Sequence, residues 1–90
     1  MIIVPQSVRD LPEKKFKHVP PIDQRKGYKV NDQVRIRVLI DGDTEEFPWL
    51  TITEVTATGY VGCVRVAYGF KKLIEAGTVI AFTADNVVEY

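Results

Sequence analysis

The chain has 90 residues, of which 46% are hydrophobic and 27% charged, and its formal net charge is zero. This length supports one domain around one core, and the composition is that of an ordinary globular protein. We therefore expect a single domain in these 90 residues, and no apolar run approaches the length of a membrane-spanning helix.

The zero net charge combines two unlike parts of the chain. Residues 1–37 hold nine Lys or Arg against four Asp or Glu, whereas residues 38–90 hold three against eight. Folding can mix these charges in space, so the asymmetry alone predicts no charged face. The start, from Met1 to Pro5, lacks the basic region and long apolar stretch of a signal peptide, so we expect a cytoplasmic protein.

Residues 1–27 are predicted to form an extended, proline-rich arm, because four of the five prolines lie here. Proline fixes φ and removes a backbone donor, which argues against a long helix or a central strand. Asp10 resembles a helix cap, so one or two helical turns are predicted through Phe16.

The first apolar residues of the arm are predicted to form a short β segment. We expect it to pair with the edge of a barrel, either its own or that of a neighbouring copy, so the arm is a candidate for homodimerisation by strand exchange. The residues assigned to this contact are Ile2, Ile3 and Val4.

Residues 28–90 are predicted to form a single β-barrel domain. Val34, Ile36, Val38 and Ile40 alternate with more polar residues, which is the period of a half-buried strand. Asp-Gly at 41–42 predicts a tight turn after it. Further strands are predicted over 47–56, 60–68, 78–83 and 87–90, with one helical turn within 69–77. The fold class is therefore all-β, a small SH3-like or OB-like (oligonucleotide-binding) barrel of four to five antiparallel strands.

The stretch 45–90 resembles the YegJ-like family of small bacterial domains of unknown function. Strand and turn residues carry the resemblance, and they are Trp49, Thr53-Glu54-Val55, Gly59, Gly62, 77–82 and 87–90. The resemblance implies a fold more than a role, because the family has no assigned activity.

Residues that perform chemistry are scarce in this chain. His18, Cys63 and Ser7 are the only residues of their types, and no spacing among them fits a nucleophile or a metal. Cys63 is expected to be a small buried hydrophobe. Residues 41–46 are expected to form an acidic hairpin tip, with Glu45 and Glu46 in solvent. We therefore expect no catalytic residue, no metal and no cofactor, and the chain is predicted not to be an enzyme.

The remaining expectation is a protein-binding module. An exposed aromatic, Phe47 or Trp49, is predicted to anchor the partner, because buried aromatic anchors dominate the energetics of many interfaces. Basic side chains are predicted to guide it electrostatically. These residues are Arg35, Arg37, Arg65, Lys71 and Lys72.

Analogy of size and fold suggests an accessory or inhibitor protein of phage or mobile-element type. Two alternatives stay open at this point. The same surface could bind single-stranded nucleic acid by stacking bases on aromatics beside the basic residues. An oligomer of the chain could instead bind a small molecule or nucleotide between its subunits.

Overall fold

A computed structural model of the chain describes residues 2–8, 27–66 and 74–89. Within these residues there are eight short strands and one 3-10 turn, Ala84–Asn86, which joins the last two strands. The strands are β1 (Ile3–Pro5), β2 (Gln33–Ile36), β3 (Val38–Ile40), β4 (Thr44–Glu46), β5 (Trp49–Val55), β6 (Tyr60–Val66), β7 (Val79–Phe82) and β8 (Val87–Glu89). The predictions of helical turns through Phe16 and within 69–77 fall wholly or largely outside the described residues.

The strands form two antiparallel sheets that together make a small barrel. One sheet has the order β1-β3-β4, and the other, which is curled, has the order β7-β6-β5-β2-β8. Every ladder is antiparallel. The all-β prediction is confirmed. The described residues form eight strands rather than four or five. The first predicted strand is divided at Arg37, β4 forms within the predicted hairpin tip, and the N-terminal segment supplies β1.

Arg37 separates β2 from β3, and its backbone connects the two sheets. The backbone N–H of Arg37 donates to the carbonyl of Asn86 at 3.0 Å, and its carbonyl accepts from the N–H of Gln6 at 2.9 Å. On one side of this residue the chain pairs with β8, and on the other side it pairs with β1. The buried positions continue their alternation through the break, so the sequence pattern does not reveal it.

The core lies between the two sheets. Val34, Ile36, Val38 and Ile40 are all 0% exposed, which confirms the inward face predicted for this stretch. Tyr60 stands between two other rings, in an edge contact with Tyr28 at 5.7 Å and a stacked contact with Phe82 at 5.6 Å between centroids. The other members of this core are Leu50, Ile52, Val64, Ile74, Ile80 and Val87.

The N-terminal segment completes the three-stranded sheet. Ile3 pairs with Ile40 and packs on the core, while Ile2 and Val4 are 68% and 46% exposed. Of the two pairings predicted for this segment, the structure contains the one with its own chain. Residues 2–8 therefore lie against the barrel, and of the predicted arm only these residues and Gly27 are described.

The acidic hairpin tip is found at Asp41–Asp43, between β3 and β4. Asp41 and Gly42 have φ of 53° and 79°, a conformation that Asp tolerates and Gly adopts freely. Glu46, however, is 0% exposed, so its predicted solvation is wrong. It pairs with Val38, and directly opposed residues share a sheet face, so its side chain is on the inner side.

Candidate functional site: the outer face of the five-stranded sheet

The outer face of the five-stranded sheet brings together three of the predicted binding residues. Successive side chains of a strand point to opposite faces, so the neighbours of the buried core positions form this second surface. Its rows follow the ladder registers from β2 to β7. We define the outer face as Gln33, Arg35, Trp49, Thr51, Glu54, Val61, Cys63, Arg65, Val79 and Ala81.

Trp49 and Arg35 lie directly opposite each other on β5 and β2. Trp49 is half-buried, so part of its indole ring is accessible. The Arg35 Nε donates to the Phe47 carbonyl at 2.9 Å, and its guanidinium carbon lies 5.7 Å from the centroid of the Phe47 ring. These contacts hold Arg35 in a fixed orientation beside the tryptophan.

Phe47 does not belong to this surface. It is 9% exposed and packs with Val8 and Val88 in a second, smaller hydrophobic cluster. Pro48, which follows it, is fully buried. Of the two aromatic anchors that the sequence allows, only Trp49 is therefore accessible.

Arg37 is also placed elsewhere, at the junction between β2 and β3. Its Nε forms an ion pair with the Glu45 carboxylate at 2.8 Å, and one terminal nitrogen donates to the Ser7 carbonyl at 2.7 Å. The side chain is only 18% exposed. Arg37 thus connects the N-terminal segment to β4, a structural role that its position in the sequence does not show.

Arg65 is the third predicted residue on the outer face, and it is exposed. It lies on β6, in the part of the ladder where a register shift separates the pairs Trp49–Val66 and Leu50–Val64. Arg35 therefore lies opposite Trp49 on β2, and Arg65 is adjacent in sequence to Val66, the residue opposite Trp49 on β6. Lys71 and Lys72 lie outside the described residues.

Apolar side chains continue the outer face toward β7, and sequence reasoning missed them. Val79 is 66% exposed and Ala81 is also exposed, while Val61 and Cys63 are half-buried. Cys63, expected in the core, faces outward opposite Thr51 and Val79. The stretch 79–82 is apolar at every position, so no signal in the sequence separates its inner from its outer side chains.

A groove of about 530 Å³ lies at the other end of the sheet from Trp49. Pro5 of β1, the hairpin turn 56–59 and the C-terminal part of β7 form its walls. The Asn86 side chain is buried beside it and accepts the backbone N–H of Thr83 at 2.8 Å, which fixes the end of β7. Mostly apolar and open, this groove is a second candidate site.

Within 2–8, 27–66 and 74–89, no group of three or more His, Cys, Asp or Glu is placed to hold a metal ion. Over the same residues, none of the helical structure is long and apolar enough to cross a membrane.

Comparison with known proteins gives no relative: no family model, curated protein or solved structure matches the chain. The resemblance of 45–90 to the YegJ-like family thus stays a prediction from those residues. We therefore infer function from the surfaces of the fold.

Proposed function

We propose that this chain is a non-enzymatic module that binds a protein partner on the outer face of the five-stranded sheet. Trp49 is the anchor, and Arg35 and Arg65 orient the partner. The observation that carries the proposal is the position of the half-buried Trp49 between these two arginines, next to an exposed apolar strip. Interfaces are enriched in tryptophan and arginine at the positions that contribute most to affinity.

Two features of the surface support a protein ligand. The exposed Val79 and Ala81 and the half-buried Val61 and Cys63 offer apolar area that a partner would remove from water. The indole ring supplies a large and rigid contact whose ordering has a small entropic cost. We propose that this binding serves an accessory or inhibitory role, of the kind known for small domains of phages and mobile elements.

The experiment is a pull-down from a nuclease-treated lysate of the cells that encode the chain, comparing wild type with Trp49→Ala. Val55→Ala is the matched control, because Val55 lies on the same strand and is 50% exposed. We expect wild type and Val55→Ala to retain one protein that Trp49→Ala retains at least about tenfold less, as for an interface anchor.

Two outcomes would contradict the proposal. Equal recovery of the same protein by Trp49→Ala and wild type would show that Trp49 does not anchor the partner. The pull-down is repeated from a lysate without nuclease treatment. Recovery that occurs only in this second lysate and falls steeply with salt would favour the single-strand-binding alternative, because phosphate contacts release counterions.

A further inference from the structure

The N-terminal segment, residues 2–8, is attached beyond β1 by bonds to two further parts of the barrel. The Gln6 N–H donates to the Arg37 carbonyl at 2.9 Å, at the junction between the two sheets. The Val8 N–H donates at 3.0 Å to the carbonyl of Asp85, which lies in the 3-10 turn. These two bonds bring the Val8 side chain against the body of the domain.

Val8 is the residue by which this segment enters the smaller hydrophobic cluster. It is 3% exposed and packs with Phe47 and Val88, which are 9% and 0% exposed. Protein interiors are close-packed, so a side chain that fills such a space also restricts the conformations of its neighbours. The Phe47 ring is therefore held in place partly by a residue of the N-terminal segment.

Phe47 in turn holds Arg35 with both its backbone and its ring. Its carbonyl accepts the Arg35 Nε–H at 2.9 Å, and the guanidinium carbon lies 5.7 Å from the centroid of the ring. Arg35 is directly opposite Trp49 on the outer face. A continuous series of contacts thus runs from Val8 through Phe47 and Arg35 to the surface proposed to bind a partner.

The burial of Val8 means that it can influence this surface only through its neighbours. Energetic coupling between separate sites is carried by packed side chains and hydrogen bonds of this kind. An arginine that is already ordered also avoids the entropic cost of being ordered when a partner binds. The attachment is suited to reversal, because β1 pairs with β3 over three residues and short terminal strands open more readily than a core.

We propose that the N-terminal segment regulates the outer face: docking of Val8 holds Phe47, and through it Arg35, in the orientation that the protein partner binds. When the segment leaves the barrel, Arg35 loses this orientation and affinity for the partner falls. The inference rests on the proposed function of the outer face. Val8 and Phe47 are positioning residues, and partner binding must in return stabilise the docked segment, because coupling between two sites is reciprocal.

The first measurement is made on the free chain and follows exchange of the Arg35 Nε–H with water by NMR. Val8→Ala leaves a cavity beside the Phe47 ring, so we expect it to accelerate this exchange at least about threefold, as for a weakened hydrogen bond. Ile80→Val is the control, since it also removes buried apolar volume, but from the larger core. We expect the control to leave the exchange unchanged.

The second measurement is the Kd of the protein captured in the pull-down, for wild type, Val8→Ala, Arg35→Ala and the double variant. Val8→Ala should weaken binding about threefold, the cost of ordering one long side chain at an interface. In the Arg35→Ala background the same change should have no effect, because the arginine through which Val8 acts is absent. The captured protein should also slow exchange of the Val8 N–H in the wild type.

Three outcomes would overturn the proposal. The first is equal exchange of the Arg35 Nε–H in wild type and Val8→Ala, and the second is faster exchange with an unchanged Kd. The third is an equal effect of Val8→Ala on the Kd with and without Arg35, which would indicate a general loss of stability. Failure to capture any protein would contradict the proposed function, whereas exchange in the free chain would still decide whether Val8 positions Arg35.

Discussion

Gly59 is the position where one added methyl group tests the packing of the barrel most sharply. It ends the turn between β5 and β6, where its N–H donates to the Thr56 hydroxyl at 3.0 Å and its carbonyl accepts the Thr56 N–H at 2.8 Å. A Cβ at this position would lie 2.4 Å from the Phe82 carbonyl oxygen. Ordinary contact begins at 3.4 Å, so the turn and β7 must separate by about 1 Å.

We expect Gly59→Ala to destabilise the fold by about 1–2 kcal/mol. Overpacking that displaces backbone costs about 1–3 kcal/mol, and the lower entropy of unfolded alanine returns about 0.4–1 kcal/mol. For a domain of this size each kcal/mol lowers Tm by about 4–8 °C, so the expected decrease is about 5–15 °C. Thermal unfolding followed by circular dichroism measures it.

The control is a substitution of a second glycine, Gly42, where an added Cβ would contact no other atom. Gly42 has φ of 79° and no atom within 4 Å of the place that a Cβ would occupy, and Asn tolerates this conformation. Gly42→Asn should change stability by less than about 0.5 kcal/mol, whereas Gly59→Asn should be at least as damaging as Gly59→Ala. An unchanged or higher Tm for Gly59→Ala would refute the close approach of the turn to β7.

Three further predictions concern the placement of the sequence-predicted residues. Phe47→Ala should lower the free energy of unfolding by about 3 kcal/mol because its ring is buried, whereas Trp49→Ala should lower it by less than half as much. Urea unfolding measures both values. Equal decreases would contradict the assignment of Phe47 to structure and Trp49 to binding. Arg37→Ala should lower the free energy of unfolding by about 1 kcal/mol, because its bonds to Glu45 and the Ser7 carbonyl are lost. Unchanged stability in the same assay would disprove this role. Deletion of residues 1–8 removes β1 and should expose to hydrogen exchange the Asp41 amide, which donates to the Ile2 carbonyl at 2.8 Å. Continued protection of this amide would show that β1 is dispensable.

Much of the barrel follows from the period of its apolar residues. The alternation from Val34 to Ile40 correctly predicts which side chains are buried, and the Asp-Gly pair correctly predicts the turn after them. The same alternation conceals the break at Arg37, because the break is produced by hydrogen bonds to Gln6 and Asn86, which are distant in sequence. Contacts of that range leave no local pattern.

Register explains most of what the sequence could not show. A register shift between Ile52 and Glu54 brings Glu54 opposite Val61 on the outer face, although simple alternation places it beside Leu50 and Ile52. Pairing with Val38 likewise places Glu46 inside. Neither position can be assigned without knowing which residues lie opposite on the adjacent strand.

The candidate site was partly predictable for the same reason. Residue type marked Trp49, Arg35 and Arg65 as binding candidates, and the β2–β5–β6 register places them on one surface. Residue type also marked Phe47 and Arg37, whose side chains the fold uses internally. The distinction depends on tertiary burial, which composition does not encode.

The sharpest test of the protein-binding proposal uses the chain's single tryptophan. The captured protein is purified and titrated into the wild-type chain while tryptophan fluorescence is recorded. The emission of the partner alone is subtracted, which leaves the emission of Trp49. We expect a saturable shift of that emission to shorter wavelength, because the partner removes the half-buried indole from water. Complex formation seen by light scattering with unchanged Trp49 emission would refute the proposal.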